Sequence, residues 1–221
     1  MKQYTLLSVL GLSTLLAACG DHPSDVSQPN IIIGDNDLQY YTKDDQISNA
    51  IGRIALGCTA THIGNGFVLT AGHCVSDNVC SSSSYNITWG YTENNRKGKL
   101  VSRCQEVVAR ENNNLRDYAI LRYSPVPASS LPINMKNRPR RGDRLTIFSH
   151  PNGIPLAWSG YCAHDGNFSG QKFSYTCDTM GGSSGAAILN GNLEIVGIHN
   201  LGSSYQQVNA GTYLMDISAL K

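Results

Sequence analysis

Three short segments of the chain carry side chains that together could form a nucleophilic catalyst. His73 lies in the run LTAGHC at residues 69–74, Asp117 opens the run DYAIL, and Ser184 lies in the glycine-rich run GGSSG at residues 181–185. A serine hydroxyl becomes a good nucleophile when an imidazole takes its proton, and the imidazole needs an acid that fixes its tautomer and stabilises its cation. Glycines beside the serine let backbone N–H groups point at a developing oxyanion. The three segments therefore predict a base, an orienting acid and a nucleophile.

In this order the segments resemble the TAAHC, D-x-A-L and GDSGG motifs of the chymotrypsin-type serine proteases, in particular those of the bacterial trypsin-like and glutamyl endopeptidases. The resemblance runs from about residue 31 to the C-terminus. It implies that His73 is the general base, that Asp117 orients it and that Ser184 attacks the substrate. It also implies an oxyanion hole formed by the N–H groups of Gly182 and Ser184, a protein or peptide substrate, and no metal or organic cofactor.

The fold that the resemblance implies is all-β, with two six-stranded antiparallel barrels and the site in the cleft between them. We expect residues 31–130 to form the first barrel, with the histidine and the acid, and residues 131–221 to form the second, with the serine and the specificity pocket. The pattern of short strands and turns agrees with this class. Strand signals occur at residues 51–56, 66–70, 85–90, 100–109, 118–123, 145–148, 186–189 and 193–198, and residues 125–141 are typical of a connector. Residues 214–220 predict a short C-terminal helix.

One departure from the family motif concerns activation. Ser183 precedes the nucleophile where the trypsin motif has Asp, the residue that pairs with a freed Ile N-terminus in that family. Residues 31–33 resemble such an N-terminus only superficially, so we expect activity without cleavage near Asn30. The same run also fits the G-x-S-x-G motif of α/β-hydrolases with Ser183 as the nucleophile. That interpretation fails because the chain lacks the alternating helices and the acid and histidine in the required order.

The residues near the predicted nucleophile support two opposite substrate preferences. Asp178 lies six residues before Ser184, the spacing at which trypsins place the acid that attracts Lys or Arg. Thr179 lies five residues before it and His199 fifteen after it, where glutamyl endopeptidases place their carboxylate-binding Thr and His. We favour a preference for Glu, while Lys/Arg and small or apolar residues stay open. Asp178 and His199 could also pair with each other.

The N-terminal residues predict export and a lipid anchor. An uncharged apolar run ends in Leu16-Ala17-Ala18-Cys19, which resembles the lipobox of bacterial lipoproteins. It is too short to span a bilayer comfortably. We therefore expect a signal peptide over residues 1–18, a lipid on Cys19 and a flexible tether over residues 19–30. Gly20 after the cysteine favours the outer membrane of a bacterial envelope, with the domain periplasmic or surface-exposed and the lipid as its one membrane contact.

Seven cysteines are present, and six remain after Cys19. Export makes disulfides the default, and the absence of Cys-x-x-Cys argues against a metal site. Several pairings are open, and we expect neighbours in sequence to pair: Cys58 with Cys74, Cys80 with Cys104, and Cys162 with Cys177. The first of these also matches the family disulfide beside the catalytic histidine.

The remaining histidines and the charge balance say little about chemistry. We expect His22, His62, His150 and His164 at the surface or in turns, with residues 150–153 forming a turn. Seventeen Lys and Arg balance 16 Asp and Glu, for a formal net charge of +1, which removes the electrostatic case for nucleic-acid binding.

We expect a monomer. Two alternatives to an enzyme stay open: an inactive protease-like lipoprotein that binds a protein in its cleft, and a structural envelope lipoprotein.

Overall fold

The computed structural model describes residues 31–168, 171–204 and 206–221. The predicted signal peptide, Cys19, the tether and His22 lie outside the described residues. No helix in the described part of the chain is both long and apolar enough to cross a bilayer.

The first half of the chain forms a closed barrel of six antiparallel strands. A short strand β1 (Gln39–Tyr40) and a helix α1 (Gln46–Ala50) precede it. Its strands are β2 (Ile51–Ile54), β3 (Thr59–Gly64), β4 (Phe67–Thr70), β5 (Ile87–Trp89), β6 (Leu100–Asn112) and β7 (Asp117–Ser124), hydrogen-bonded in the order β2-β3-β4-β7-β6-β5.

The second half repeats this architecture. Its strands are β8 (Arg144–Ser149), β9 (Ala157–Asn167), β10 (Lys172–Tyr175), β11 (Ala187–Asn190), β12 (Ile195–Ser203) and β13 (Val208–Tyr213). The order is β9-β10-β13-β12-β11-β8, and pairing of β8 with β9 closes the ring, to which β1 adds at β9. The two barrels confirm the predicted fold class.

Each barrel has its own apolar core, and a third cluster packs the barrels together. Val68, Trp89 and Leu121 lie in the first core, and Phe173 and Tyr175 in the second. Burying one such side chain contributes about 1.5–3 kcal/mol. The cluster between the barrels draws on both of them, with Ile51, Leu69, Ile120, Phe148, Leu189 and Ile198 among its members. Apolar packing therefore holds the two barrels against each other on either side of the cleft.

The strands that the sequence predicts are all present, but five others and α1 were not predicted. β9 contains Gly160 and Gly166, and glycines weaken the pattern by which a strand is predicted from the sequence. The C-terminal helical signal takes the form of two 3₁₀ turns, Leu214–Asp216 and Ser218–Leu220, rather than an α-helix. Ile217 between them is extended (φ −90°, ψ 102°) and fully buried, so packing of its side chain interrupts the helix.

The structure contains three disulfides, Cys58–Cys74, Cys80–Cys104 and Cys162–Cys177, at the three expected pairs. The first joins the β2–β3 turn to the segment that carries His73. The second joins the loop between β4 and β5 to β6, and the third joins β9 to the segment after β10.

Three of the histidines expected at the surface are buried, which corrects that expectation. His62, His150 and His164 are 3%, 1% and 3% exposed. His62 donates from Nδ1 to Ser129 O and accepts at Nε2 from Gly66 N, so it is a neutral structural residue. His150 does precede the predicted turn, a 3₁₀ turn over Pro151–Gly153.

Burial of these histidines predicts acid sensitivity. Burial lowers the pKa of His150 to about 4 and also lowers the pKa of His164. The unfolded chain therefore binds protons near pH 6.5 that the folded chain takes up only at lower pH, so stability should fall as pH drops from about 6.5 towards 4. Urea unfolding across this range should show it, and His150→Gln should make the slope shallower by about 1 kcal/mol per pH unit. An unchanged slope in that variant would contradict the assignment.

Candidate active site

His73 lies in a 3₁₀ turn, Gly72–Cys74, that follows β4. A Cβ on Gly72 would come within 1.9 Å of Glu111 O, so only glycine fits against β6 at this point. The Cys58–Cys74 disulfide fixes the other side of the turn. The backbone around His73 is therefore fixed on both sides while its ring projects into the space between the barrels.

Asp117, at the start of β7, binds His73 through both carboxylate oxygens. Oδ2 accepts from His73 Nδ1 at 2.7 Å, and Oδ1 accepts from the His73 backbone N–H at 2.9 Å. The second barrel supports the acid, because Asp117 N donates to Thr212 Oγ1 and Asp117 O accepts from Asn200 Nδ2. Burial by itself would raise the pKa of Asp117, but the hydrogen bonds and charge of His73 outweigh it and leave the pKa below its usual value. The carboxylate therefore stays ionised and presents Nε2 of His73 to the cleft.

Ser184 lies in a tight turn that only glycines can form on its two sides. Gly182 has φ +89° and Gly185 has φ +84°. A Cβ on Gly185 would come within 2.1 Å of Thr70 Oγ1, and one on Gly182 within 2.6 Å of His150 O. Within the described residues neither Gly182 N–H nor Ser184 N–H donates to a protein acceptor. The N–H group of Gly182 and that of Ser184 itself are therefore both available as donors, as an oxyanion hole requires.

His73, Asp117 and Ser184 line one cleft of about 510 Å³, together with Asn112, Asn113, Asn114, Lys172, Thr179, Met180, His199, Asn200, Leu201 and Gly202. In the described residues no hydrogen bond joins Ser184 to the His73 ring. Such contacts are often long before substrate binds and tighten in the complex.

The structure brings Thr179 and His199 to this cleft but not Asp178. The Asp178 carboxylate accepts from Ile33 N at 2.8 Å and from Asp37 N at 2.7 Å, so it satisfies the backbone of the N-terminal segment. Asp178 is therefore not among the residues that line the cleft, and it does not pair with His199.

His199 is held as a neutral imidazole inside the second barrel. The Tyr175 hydroxyl and His199 Nδ1 are hydrogen-bonded there. Burial lowers the pKa of His199 to about 3, and burial also raises the pKa of Tyr175, so both stay neutral over the working range. When Tyr175 donates to Nδ1, the proton of the neutral imidazole lies on Nε2, which is then a hydrogen-bond donor.

Thr179 is less free to donate. Its Oγ1 donates to Asn209 Oδ1 at 2.7 Å, and the Asn209 amide is oriented by its own bond from Nδ2 to Cys177 O. A carboxylate in the pocket must compete with Asn209 for the Thr179 proton, whereas His199 Nε2 has no hydrogen-bond partner among the described residues.

A family model described as a trypsin-like peptidase domain matches residues 58–198, more than half of the chain. The chain belongs to this family. Membership confirms the resemblance that the three sequence motifs predict.

One curated relative of this trypsin-like peptidase is the glutamyl endopeptidase of Staphylococcus epidermidis, 29% identical over 173 residues. The match covers 70% of this chain and 57% of that protein, so the chain spans little more than half of the relative's length.

Two solved structures share the fold. A Glu endopeptidase in complex with MPD gives a TM-score of 0.70 at 23% identity, covering 84% of this chain and 94% of that chain. The Vibrio cholerae VesB protease gives a TM-score of 0.65 at 16% identity, covering 81% of this chain and 64% of that chain. At these identities the likeness shows the fold alone.

The turn of the peptidase that carries Ser184 is held by neutral groups where trypsins use a carboxylate. Ser183 is fully buried, its hydroxyl lies 3.0 Å from Ser149 Oγ, and it accepts from Met180 N. Ile31 is buried too and pairs its backbone with Thr179, as an antiparallel bridge. The Ser184 turn is thus formed without an ion pair to a free N-terminus.

Among the described residues one group of potential metal ligands comes together, Cys58, His73 and Cys74. Its two sulfurs are joined to each other in a disulfide, so neither is a thiolate that could bind a metal.

Several residues of the site were missed at the sequence level: Tyr175, Asn200, Asn209, Thr212 and Lys172. Lys172 and Asn200 line the cleft, whereas Tyr175, Asn209 and Thr212 do not line it but hydrogen-bond to His199, Thr179 and Asp117. Strand register in the second barrel places all five, because β10 pairs with β13 and β13 with β12. Alternation along the run KFSY could have separated Lys172 from the core residues Phe173 and Tyr175, but β10 itself was not predicted.

The contact between His73 and Asp117 predicts the effect of removing one charge. Asp117→Asn should lower the rate of Ser184 acylation by a fluorophosphonate about 10³–10⁴-fold, because an amide stabilises neither the required tautomer nor the imidazolium. Asp77→Asn, at an exposed acid that pairs with Arg110, is the matched control and should keep the rate. Equal rates in the two variants would remove Asp117 from the site.

Proposed function

We propose that this trypsin-like peptidase is a serine endopeptidase that hydrolyses peptide bonds through an acyl-enzyme. The single observation that carries the proposal is the cleft itself. His73, bound at Nδ1 by the buried Asp117 carboxylate, lines the same cleft as Ser184. The N–H groups of Gly182 and Ser184 have no acceptor among the described residues. Acyl transfer needs a nucleophile, a general base and an acid that orients the base. Ser184, His73 and Asp117 are such groups, and they lie in three separate segments of the chain.

In the acylation step Ser184 Oγ attacks the substrate carbonyl carbon while His73 Nε2 takes the hydroxyl proton. The carbonyl oxygen becomes an oxyanion that accepts from Gly182 N–H and Ser184 N–H, each donor contributing about 10²–10³ in rate. Asp117 keeps Nδ1–H in place and stabilises the imidazolium. The C–N bond then breaks, and His73 returns its proton to the leaving amine.

In the deacylation step a water replaces the amine. His73 Nε2 takes a proton from the water, whose oxygen attacks the ester carbonyl, and the same two N–H groups donate to the second oxyanion. Collapse releases the carboxylic acid product and returns the proton to Ser184 Oγ.

The substrate side chain before the scissile bond is proposed to be Glu. We infer that Tyr175 donates to Nδ1 of the neutral His199, which leaves a proton on Nε2 for the cleft that His199 lines. Asp178, the acid that would attract a base, accepts instead from Ile33 N and Asp37 N. The similarity to a glutamyl endopeptidase supports the same choice. A neutral imidazole can donate to a carboxylate without the cost of burying a free cation.

Two further elements of the proposal concern the N-terminus. The Ser183 hydroxyl and the backbone pairing of Ile31 support a domain that is active without cleavage at Asn30. The run Leu16-Ala17-Ala18-Cys19 supports export and attachment to the bacterial envelope by lipid on Cys19, with residues 19–30 as the tether.

Active-site labelling tests the reaction class. A fluorophosphonate should label the folded protein stoichiometrically, and Ser184→Ala should abolish the adduct, because it removes the nucleophile. The matched variant Ser183→Ala should still form an adduct, which intact mass spectrometry would detect. Failure of the wild type to label would favour the alternative of an inactive, protein-binding lipoprotein.

Peptides that differ only in the residue before the scissile bond test the preference. Glu should exceed Ala and Arg in kcat/KM, and cleavage after Arg alone would overturn the proposal. Tyr175→Phe should lower the Glu-to-Ala ratio about tenfold, because His199 Nδ1 loses its donor and the tautomer that presents Nε2–H is no longer favoured. Tyr213→Phe removes a comparable hydroxyl that contacts His164 outside the cleft, and should keep the ratio.

A further inference from the structure

Lys172 is a buried lysine that the reaction does not use. It is 7% exposed, it opens β10, and it lies in the wall of the cleft. The alternate residues Phe173 and Tyr175 point into the core of the second barrel, so Lys172 extends on the opposite face of the strand.

The ammonium of Lys172 has no counter-ion in the described part of the chain. No carboxylate there lies within 4.0 Å of it, and no hydrogen bond from it to a described residue is present, whereas the exposed Lys99 pairs with Asp44. Burying an unpaired cation is costly, and buried cations are normally paired. An ammonium left without a partner beside an open cleft is a site for an anion that arrives with the substrate.

The other charged group of the cleft does not fill this site. Asp117 is the one carboxylate among the lining residues, and both of its oxygens accept from His73. The field of Lys172 does reach Asp117 and contributes to lowering its pKa, but as the smallest of the causes. Electrostatic support of Asp117 is therefore a competing explanation that the experiment must separate.

Lys172 lies on the opposite face of β10 from Tyr175, the residue that contacts His199, so it does not share the pocket that His199 would form for the residue before the scissile bond. It pairs in register with Thr212, whose hydroxyl contacts Asp117, whereas His199 pairs with Gly211 on the next strand. Leu201 and Gly202 of β12 line the cleft along with both sites. A peptide lying along β12 can thus place one side chain against His199 and another, further from the scissile bond, against Lys172.

We propose that Lys172 binds an acidic side chain of the substrate, at one of the three positions that precede the residue held by His199. The site would make the peptidase selective for acidic peptide segments rather than for a single acidic residue. The inference rests on the proposed function and extends its substrate class.

The test uses a set of peptides that all have the same residue before the scissile bond and Ala at the three positions that precede it. Each position in turn is replaced by Glu or by Gln. In the wild type one position should show a Glu-to-Gln ratio of about ten in kcat/KM, carried by KM. Lys172→Met, which keeps the length and apolar stem, should reduce that ratio to about one. Lys136→Met removes an exposed cation outside the cleft and should keep it.

Three results would overturn the inference. The first is the absence of an acidic preference at all three positions in the wild type, and the second is persistence of that preference in Lys172→Met. The third is an equal loss for Glu and Gln peptides in Lys172→Met with a shift of the acidic limb of the pH profile, which would assign Lys172 to the support of Asp117.

Equilibrium binding separates this inference from the proposed function. Fluorescence anisotropy of the same labelled peptides with Ser184→Ala, and with Ser184→Ala combined with Lys172→Met, needs no cleavage. Acid-dependent binding that requires Lys172 supports the site even if the wild type cleaves none of the peptides, an outcome that would overturn the proposed function alone. Binding that ignores the acidic residue overturns the site.

Discussion

Asp117 is hydrogen-bonded at every polar atom, and the partners come from both barrels. His73 of the first barrel binds the two carboxylate oxygens, while Thr212 and Asn200 of the second bind the backbone N–H and carbonyl. A buried carboxylate is tolerated only when its hydrogen bonds are satisfied. The alignment of the acid therefore depends on the two barrels being packed in one arrangement, which the apolar cluster between them enforces.

Thr59 makes a second connection between the barrels, at the nucleophile. Its N–H donates to Ser184 O, its hydroxyl donates to Gly182 O, and the same hydroxyl accepts from His150 N. These bonds occupy the carbonyls of the Ser184 turn and leave its N–H groups directed at the cleft. Asp117 and the Ser184 turn are thus each fixed by polar contacts across the barrel interface, so the positions of both depend on how the barrels pack.

The motifs, through the family resemblance that they carry, predicted the two barrels and five of the residues that line the cleft: His73, Asp117, Thr179, Ser184 and His199. The cysteine pairs follow from pairing neighbours in sequence. Those features are local: a glycine-rich turn, a histidine before a cysteine, and alternation along a strand. Burial of His62, His150 and His164 could not be predicted, because it depends on which side of a barrel wall each residue reaches. Tyr175 and Lys172 were missed for the same reason. Their roles follow from the register of β10 against β13, which a single sequence does not reveal.

Asp178 illustrates how a residue at a familiar spacing can have a different physical role. Its distance from Ser184 in sequence is that of the acid in trypsins, yet its carboxylate accepts from Ile33 N and Asp37 N. These amides satisfy the Asp178 carboxylate, so Asp117 is the one carboxylate among the described lining residues, and both of its oxygens accept from His73. Lys172 adds a cation to the same cleft. The charge that a ligand meets in the cleft therefore depends on where these few groups lie, and the net charge of the chain does not reveal it.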